Sequence, residues 1–159
     1  MGSRDSTLTI RAAELSEMDE VRQLFREYQT ELDVDLCFQS FEEELETLPG
    51  KYSPPEGRLL LGRVDGAVQG CVAFRPLDAG VCEMKRLYVR PAARSVGLGR
   101  ELVAQILSQA KSAGYESMVL DTLDRLQSAR GLYERAGFVQ VPAYYQNPLE
   151  GVIFLQRKL

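Results

Sequence analysis

A glycine-containing stretch, RPAARSVGLGREL (Arg90 to Leu102), carries the clearest chemical signal in the sequence. Apolar residues at helical spacing follow it, so Gly97 and Gly99 fall at the start of a helix. The first turn of a helix has unpaired N–H groups and a partial positive charge, and glycine lets a phosphate approach the backbone. Arg94 and Arg100 add fixed positive charge. The stretch predicts either an anion site or a tight strand-to-helix turn without a ligand.

The residues that the sequence lacks exclude several other kinds of site. A Rossmann fingerprint needs a third glycine where Leu102 stands, and a Walker loop needs Gly-Lys-Ser/Thr. There is no histidine, which removes Ser-His-Asp and Cys-His arrangements. The three cysteines are widely spaced, so we expect reduced, mostly buried thiols and no metal site. Any chemistry must use Glu, Asp, Tyr, Cys or backbone groups.

The composition is that of one globular domain covering residues 1–159. A hydrophobic fraction of 45% and a charged fraction of 26% exclude a disordered or fibrous chain. The net charge of −4 argues against a nucleic-acid partner, since phosphate contacts need a basic face. No apolar run is long enough for a signal peptide or a membrane span, so we expect a cytoplasmic protein without a membrane partner.

Hydrophobic periodicity predicts the elements that position the glycine stretch, in the order β, α, α, β, β, β, α, β, α, β, β. Capping boxes at Ser16–Asp19 and Ser40–Glu43 predict the starts of the first two helices. Asp65-Gly66 between two apolar runs predicts a hairpin. A helix from Gly97 to Ala113 then crosses over to ESMVLDTL, which we expect to run parallel to the strand before the helix. This is a mixed α/β domain with an antiparallel front half.

The strand VCEMKRLYV contains an irregularity. Cys82 and Met84 share one face, whereas the next apolar face is shared by Leu87 and Val89, so the alternation slips at Lys85-Arg86. The slip predicts a β-bulge, which would leave free backbone groups beside the glycine stretch. The alternative is a half-exposed strand on which the two basic residues face solvent.

Two motifs resemble signatures of the GNAT superfamily of acyl-CoA-dependent N-acetyltransferases. RSVGLG, Arg94-x-x-Gly97-x-Gly99, is similar to the pyrophosphate-binding motif of that superfamily. LYERAGF, Leu132 to Phe138, is similar to its second signature, a helix with a tyrosine shortly before Gly-Phe. With the order of elements, the resemblance extends from Leu8 to Leu159. It implies a central mixed, mostly antiparallel sheet flanked by helices, with one parallel crossover at the coenzyme site.

The resemblance also implies acetyl-CoA as co-substrate, with no metal. The backbone of one strand segment would pair with the pantetheine arm and leave one N–H to polarise the thioester carbonyl: Leu87, Tyr88 and Val89. The backbone amides of the glycine stretch would hold the pyrophosphate: Arg94, Ser95, Val96, Gly97, Leu98, Gly99 and Arg100.

Two catalytic residues follow from the same resemblance. Tyr133 stands where many members place the acid that protonates the departing thiolate; the alternative is a core tyrosine. Glu83 stands where the histone-modifying branch carries a glutamate base, and its alternative is an ion pair with Lys85 or Arg86. One departure is Leu126, where many relatives have an asparagine that contacts the coenzyme.

In this superfamily the acceptor enters opposite the coenzyme, here beside DVDLCFQSF and PAYYQNP. Tyr144 and Tyr145 would bound an amine pocket. The acidic residues Asp33, Asp35 and Glu42–Glu46 either attract a cation or form a solvated helix face.

The expected reaction is transfer of an acetyl group from acetyl-CoA to a primary amine by direct attack. A small molecule, a peptide or a protein would supply the amine. The alternative is an acyl-CoA-binding module with the same fold and little turnover. The identity of the acceptor, the length of the acyl group and the oligomeric state are left open; the terminal strands could pair across a homodimer.

Overall fold

A mixed β-sheet forms the centre of the computed structural model, which describes residues 6–34, 36 and 40–159. Its strands are β1 (Leu8–Ala12), β2 (Arg58–Val64), β3 (Ala67–Asp78), β4 (Val81–Val89), β5 (Ser117–Leu123), β6 (Val139–Val141) and β7 (Val152–Lys158). The helices are α1 (Met18–Leu32), α2 (Phe41–Thr47), α3 (Leu98–Ser112) and α4 (Gln127–Arg135). The predicted order of elements is confirmed.

The sheet has the order β1-β2-β3-β4-β5-β7-β6 within the described residues. Neighbouring strands are antiparallel except β4 and β5, which are joined through α3 and run parallel, as predicted. The β2–β3 hairpin turns at Asp65 (φ 49°) and Gly66 (φ 87°), and two successive positive φ angles match the right-handed twist of the strands. The mixed α/β class is therefore confirmed.

The helices cover the two faces of the sheet and bury two hydrophobic clusters. Cluster one lies against α3, whose Leu98, Leu102 and Ile106 are fully buried. Cluster two lies against α1 and α2, and contains the buried side chains of Phe25 and Phe41. Burying a side chain of this size contributes about 1.5–3 kcal/mol. The sheet is thus fixed from both sides, which holds the strand ends in place.

Both predicted capping boxes are wrong. A short 3-10 turn, Leu15–Glu17, precedes α1, and the box is formed by Glu14 and Glu17. The Glu17 carboxylate accepts the Glu14 N–H at 3.0 Å, so Ser16 lies inside the turn and cannot cap it. Ser40 precedes α2 with a φ of 56° and makes no side-chain cap.

Cys71 and Cys82 are buried free thiols, as predicted, and burial raises the pKa of each to about 12. Cys37, like Asp35, lies outside the described residues. Among the residues that the structure describes, no helix is both long and apolar enough to cross a membrane. The same part of the chain has no group of His, Cys, Asp and Glu side chains arranged to hold a metal ion.

Candidate active site

A gap opens between β4 and β5. The two strands pair only at Val81–Ser117, Cys82–Met118 and Glu83–Val119. Beyond Glu83, β4 continues beside β3 alone and β5 beside β7 alone. The inner edges of both strands therefore carry backbone N–H and C=O groups that no strand of the described residues pairs, and a buried edge of that kind needs a partner.

The predicted bulge lies on the β4 side of this gap. Cys71 pairs with Tyr88 and Ala73 with Lys85, so Arg86 and Leu87 together stand opposite a single residue of β3. Arg86 adopts a φ of 63°, outside the usual strand region. Both basic side chains are buried, which excludes the alternative of a half-exposed strand.

The Arg86 side chain forms a buried ion pair with α2. Its Nε and Nη2 atoms donate to the two carboxylate oxygens of Glu44 at 2.9 and 3.0 Å. The guanidinium also lies over the rings of Phe41 and Tyr28, 5.1 and 5.6 Å from their centroids. Glu44 thus holds a residue of the cavity lining, and the alternative of a solvated helix face for Glu42–Glu46 is wrong at this position.

The glycine stretch lies at the open end of the gap. A 3-10 turn, Pro91–Val96, leads to Gly97, whose φ of 84° starts α3. A Cβ built at Gly97 meets no atom within 4 Å. The first amide to bond within the helix is that of Glu101, to the Gly97 carbonyl at 3.2 Å. The amides of Leu98, Gly99 and Arg100 therefore have no backbone acceptor within the helix.

Close packing joins this helix start to the gap. A Cβ at Gly99 would lie 3.1 Å from Leu132 Cδ1 on α4 and 3.7 Å from Val89 Cγ2 at the end of β4. The fully buried Leu98 anchors the first turn in cluster one. The two residues before Gly97 are more accessible than Leu98, since Ser95 is exposed and Val96 is half-buried. Gly99 thus permits the close approach of Leu132, and Gly97 permits the positive φ that starts α3.

The Arg94 guanidinium forms an ion pair within the protein, so its positive charge is not free for a ligand as the sequence suggested. Its Nη2 lies 2.5 Å from a Glu31 oxygen on α1, and its Nε donates to the Val89 carbonyl at 2.9 Å. Arg90 is held in the same way by Glu27 and Glu20. Arg100 is exposed and makes no ion pair within the described residues.

Tyr133 lines a cavity that extends from the gap to α1 and α4. Its ring packs edge-on against Phe138, 5.8 Å away, as part of cluster one. Its hydroxyl has no hydrogen-bond partner among the described residues. Burial raises the pKa of Tyr133, and the neighbouring Tyr28 and Asp121 raise it further. The phenol is therefore protonated at neutral pH and free to donate.

Glu83 is fully buried and its two oxygens are occupied. Oε1 accepts from Arg75, with Nη2 at 2.8 Å and Nε at 2.9 Å, and lies 3.9 Å from Lys85 Nζ. Oε2 accepts the Tyr144 hydroxyl. Of the two ion-pair partners considered in the sequence, Lys85 is a distant one and Arg86 pairs elsewhere. Glu83 is not among the residues that line the cavity.

Tyr144 and Tyr145 hold carboxylates instead of lining the cavity. Tyr144 donates to Glu83, and Tyr145 donates to Asp121. Their rings pack against each other and against Phe154 on β7, with centroids 5.1–5.5 Å apart. The two rings lie one contact behind the cavity, and their role in bounding an amine pocket stays a prediction.

Asp121 is a cavity residue that the sequence reasoning missed. It lies on β5, opposite the basic residues of the bulge, and is half-buried. Besides Tyr145, the side-chain amide of Asn147 donates to it at 3.0 Å. One signal was available, since Asp121 is the single charged residue in the apolar strand SMVLDTL. A charge inside such a strand is uncommon unless it is paired or functional.

Comparison with known proteins places this geometry in a family. The sequence matches the Acetyltransferase (GNAT) family over residues 18–138. It is 42% identical to an uncharacterized N-acetyltransferase of Schizosaccharomyces pombe, over 98% of each chain. A GNAT-family acetyltransferase of Staphylococcus aureus superimposes with a TM-score of 0.79 at 19% identity, covering 96% of this chain and 99% of that chain.

The YncA protein of Salmonella typhimurium, solved with its cofactor acetyl-CoA, superimposes with a TM-score of 0.65 at 22% identity. That match covers 95% of this chain and 93% of the other. The two structural matches agree with the observed fold, and the family match covers both the glycine stretch and the helix that carries Tyr133. This chain belongs to the GNAT family of acetyltransferases.

Proposed function

We propose that the protein transfers an acetyl group from acetyl-CoA to a primary amine, which attacks the thioester directly. The observation that carries this proposal is the unpaired edge of β4, which leads from the bulge to the open first turn of α3 and lies beside the buried Tyr133. The names of the relatives support acetyl transfer, and one structural neighbour contains acetyl-CoA.

The residues present fit an acyl-CoA molecule. The pyrophosphate would be held by the amides from Arg94 to Arg100, where the outward-pointing N–H groups and the open space at Gly97 suit an anion. The pantetheine arm would pair with the backbone of Leu87, Tyr88 and Val89, since β5 does not pair with that edge. When bound, acetyl-CoA supplies an activated acyl group.

The protein's own contributions are orientation and proton transfer. One N–H of the β4 edge would polarise the thioester carbonyl, and a positioned donor of that kind lowers a barrier by about 3 kcal/mol. Tyr133 would donate its proton to the departing thiolate, because its raised pKa keeps it protonated until a strong base appears. Glu83 lies too far inside its own ion-pair network to take the proton of the acceptor directly.

The test is isothermal titration of the purified protein with acetyl-CoA, with two glycine variants. Gly97→Glu places a carboxylate where the pyrophosphate would lie. Gly114→Glu is the matched control, since Gly114 has a φ of 95° and the same empty surroundings at the opposite end of α3. We expect micromolar binding by the native protein and the control, and at least about a 100-fold loss in Gly97→Glu from charge repulsion and lost N–H contacts.

A second measurement tests transfer itself. Thiol release from acetyl-CoA is followed with a panel of primary amines that includes lysine-containing peptides. Amine-dependent release that requires an intact Gly97 is the expected result. Absence of acetyl-CoA binding in the native protein would contradict the coenzyme assignment, and binding without amine-dependent release would contradict the transferase.

A further inference from the structure

Among the described residues, the lining of the cavity beside Tyr133 includes one carboxylate, Asp121, and its side chain is held in place. Asp121 is fixed through its backbone, which pairs with Phe154 on β7, and its side chain lies on the lining. The alternation of β5 puts Asp121 on the same face as Leu123, which belongs to cluster two, and opposite to Leu120 of cluster one. It therefore faces the side of the sheet on which α1 and α2 lie.

Two donors orient the Asp121 side chain through a single oxygen. Oδ2 accepts the Tyr145 hydroxyl and the Asn147 amide, and Asn147 is itself fixed because its Oδ1 accepts the Leu149 N–H at 2.9 Å. Within the described residues no donor contacts Oδ1. A carboxylate in this state has one oxygen available to bind a cation or to accept a proton.

The charged and titratable groups around Asp121 come from each neighbouring element. Arg86 is neutralised by Glu44, and Lys85 lies beside Glu83. The groups facing Asp121 are Tyr28 on α1, Glu83, Lys85 and Arg86 on β4, Tyr133 on α4, and Tyr144 and Tyr145 before β7. Glu83, the other carboxylate of that set, is engaged by Arg75 and Tyr144, which leaves Asp121 as the carboxylate with an oxygen that accepts no hydrogen bond from the described residues.

Most of the other described residues on the cavity lining are apolar. They include aliphatic side chains from the end of α1, the segment that follows it, the start of α4 and the loop before β7: Leu32, Val34, Leu36, Leu126 and Leu149. A second charge on the acceptor would be desolvated against these side chains without compensation, at a cost of several kcal/mol. The wall thus favours an acceptor with one charged end.

We propose that Asp121 binds the acceptor as an ammonium ion and takes its proton, and that the acceptor is a primary amine carried on an apolar carbon skeleton. This inference rests on the proposed function. In the step, one N–H proton passes to Asp121 Oδ1, and the freed nitrogen lone pair forms the N–C bond as the C–S bond breaks. Tyr133 gives the sulfur its proton and recovers one from the new amide nitrogen through solvent, so the net release is one proton.

The experiment compares two acceptors of the same carbon skeleton that differ strongly in basicity. 2-Phenylethylamine is an ammonium ion at pH 7, like a lysine side chain. In 2,2-difluoro-2-phenylethylamine the fluorines withdraw electron density, so a much larger share of the amine is already neutral. Acetylation of each is measured with the native protein and with Asp121→Asn. Asp124→Asn is the control, since Asp124 is an exposed neighbour paired with Arg130.

We expect Asp121→Asn to lose about 100-fold in kcat/KM with 2-phenylethylamine, the usual contribution of a general base. With the difluoro amine we expect a loss below about tenfold, because less proton removal is needed. The acetyl-CoA dissociation constant should stay within about twofold, and Asp124→Asn should match the native protein. Should Asp121→Asn fail to fold, Tyr145→Phe takes its place, with a smaller loss that again falls mainly on the protonated amine.

Three results would overturn the inference: equal losses on the two amines, no loss on either, or a native protein that acetylates neither. In the third case the proposed function is judged separately. If the native protein still releases thiol with another amine, the proposed transferase activity stands and only the assignment of Asp121 and its acceptor class is wrong. If the native protein does not bind acetyl-CoA, both the proposed function and this inference are wrong.

Discussion

The two sides of the gap present different chemical groups to a ligand: backbone groups on one side and side chains on the other. On the side that we assign to the coenzyme, the groups that would make contact are backbone amides of β4 and of the first turn of α3. On the acceptor side they are side chains held in ion pairs and hydrogen bonds, such as Arg86 with Glu44 and Asp121 with Tyr145. Binding by backbone amides depends on the path of the chain and on small residues that keep the amides accessible. Binding by side chains depends on the identity of each contributing residue.

The two sides of the gap should therefore tolerate substitutions differently. Around Gly97 most side chains can change while the amides stay in place, provided that the backbone keeps its path. Across the gap, loss of a single partner leaves a buried charge without compensation. We therefore expect stability to be most sensitive on the acceptor side and coenzyme affinity to be most sensitive on the other.

The largest expected effect on stability is that of Glu44→Ala. It leaves the fully buried Arg86 guanidinium without its anion, and we expect a loss of about 3–5 kcal/mol in the free energy of unfolding. Glu42→Ala, two residues away, breaks an exposed pair with Arg26 and should cost under about 1 kcal/mol. Urea denaturation measures both. Equal losses of unfolding free energy in the two variants would show that the buried Arg86–Glu44 pair contributes no more to stability than an exposed ion pair.

The next effect is on turnover. Tyr133→Phe removes the proton donor, and we expect the rate of acetyl transfer to fall by about 100-fold with the acetyl-CoA dissociation constant nearly unchanged. Tyr115→Phe is the matched control, because the Tyr115 hydroxyl bonds to the Glu56 carbonyl away from the gap. If the Tyr133→Phe variant is as fast as the native protein, another group donates the proton to the departing thiolate. Binding without turnover in the native protein would favour the acyl-CoA-binding module.

The smallest effect tests the charge near the glycine stretch. Glu31→Gln removes the anion that pairs with Arg94, so the guanidinium becomes available to a phosphate. We expect acetyl-CoA to bind about two- to fivefold more tightly at low salt, with the gain reduced at high salt. Glu20→Gln is the control, since Arg90 keeps its second partner, Glu27. Unchanged affinity in Glu31→Gln would place the phosphates away from Arg94.

The sequence was most informative where the determinants are local. The Asp65-Gly66 hairpin, the bulge at Lys85-Arg86 and the glycine start of α3 each depend on a few consecutive residues, and each is confirmed. The parallel crossover follows from the order of the elements. These features define the fold and the backbone-built side of the gap.

Side-chain pairing between distant elements was not predictable in the same way. Glu44 and Arg86 are 42 positions apart, and Asp121 meets Asn147 across 26. Many arginines and carboxylates could have paired, and only the three-dimensional packing selects among them. The two capping boxes failed for local backbone reasons. A 3-10 turn moves the start of α1 past Ser16, whereas Ser40 does stand at the start of α2 but has a positive φ and makes no side-chain cap.

The most direct test of the account is hydrogen exchange, followed by mass spectrometry, with and without saturating acetyl-CoA. Amides that gain a partner exchange more slowly, whereas those already in the sheet change little. We expect new protection in peptides covering Leu87–Val89 and Arg94–Arg100, and none at the β2–β3 turn. Binding of acetyl-CoA without protection in those two segments would contradict the claim that the backbone edge of the gap holds the coenzyme.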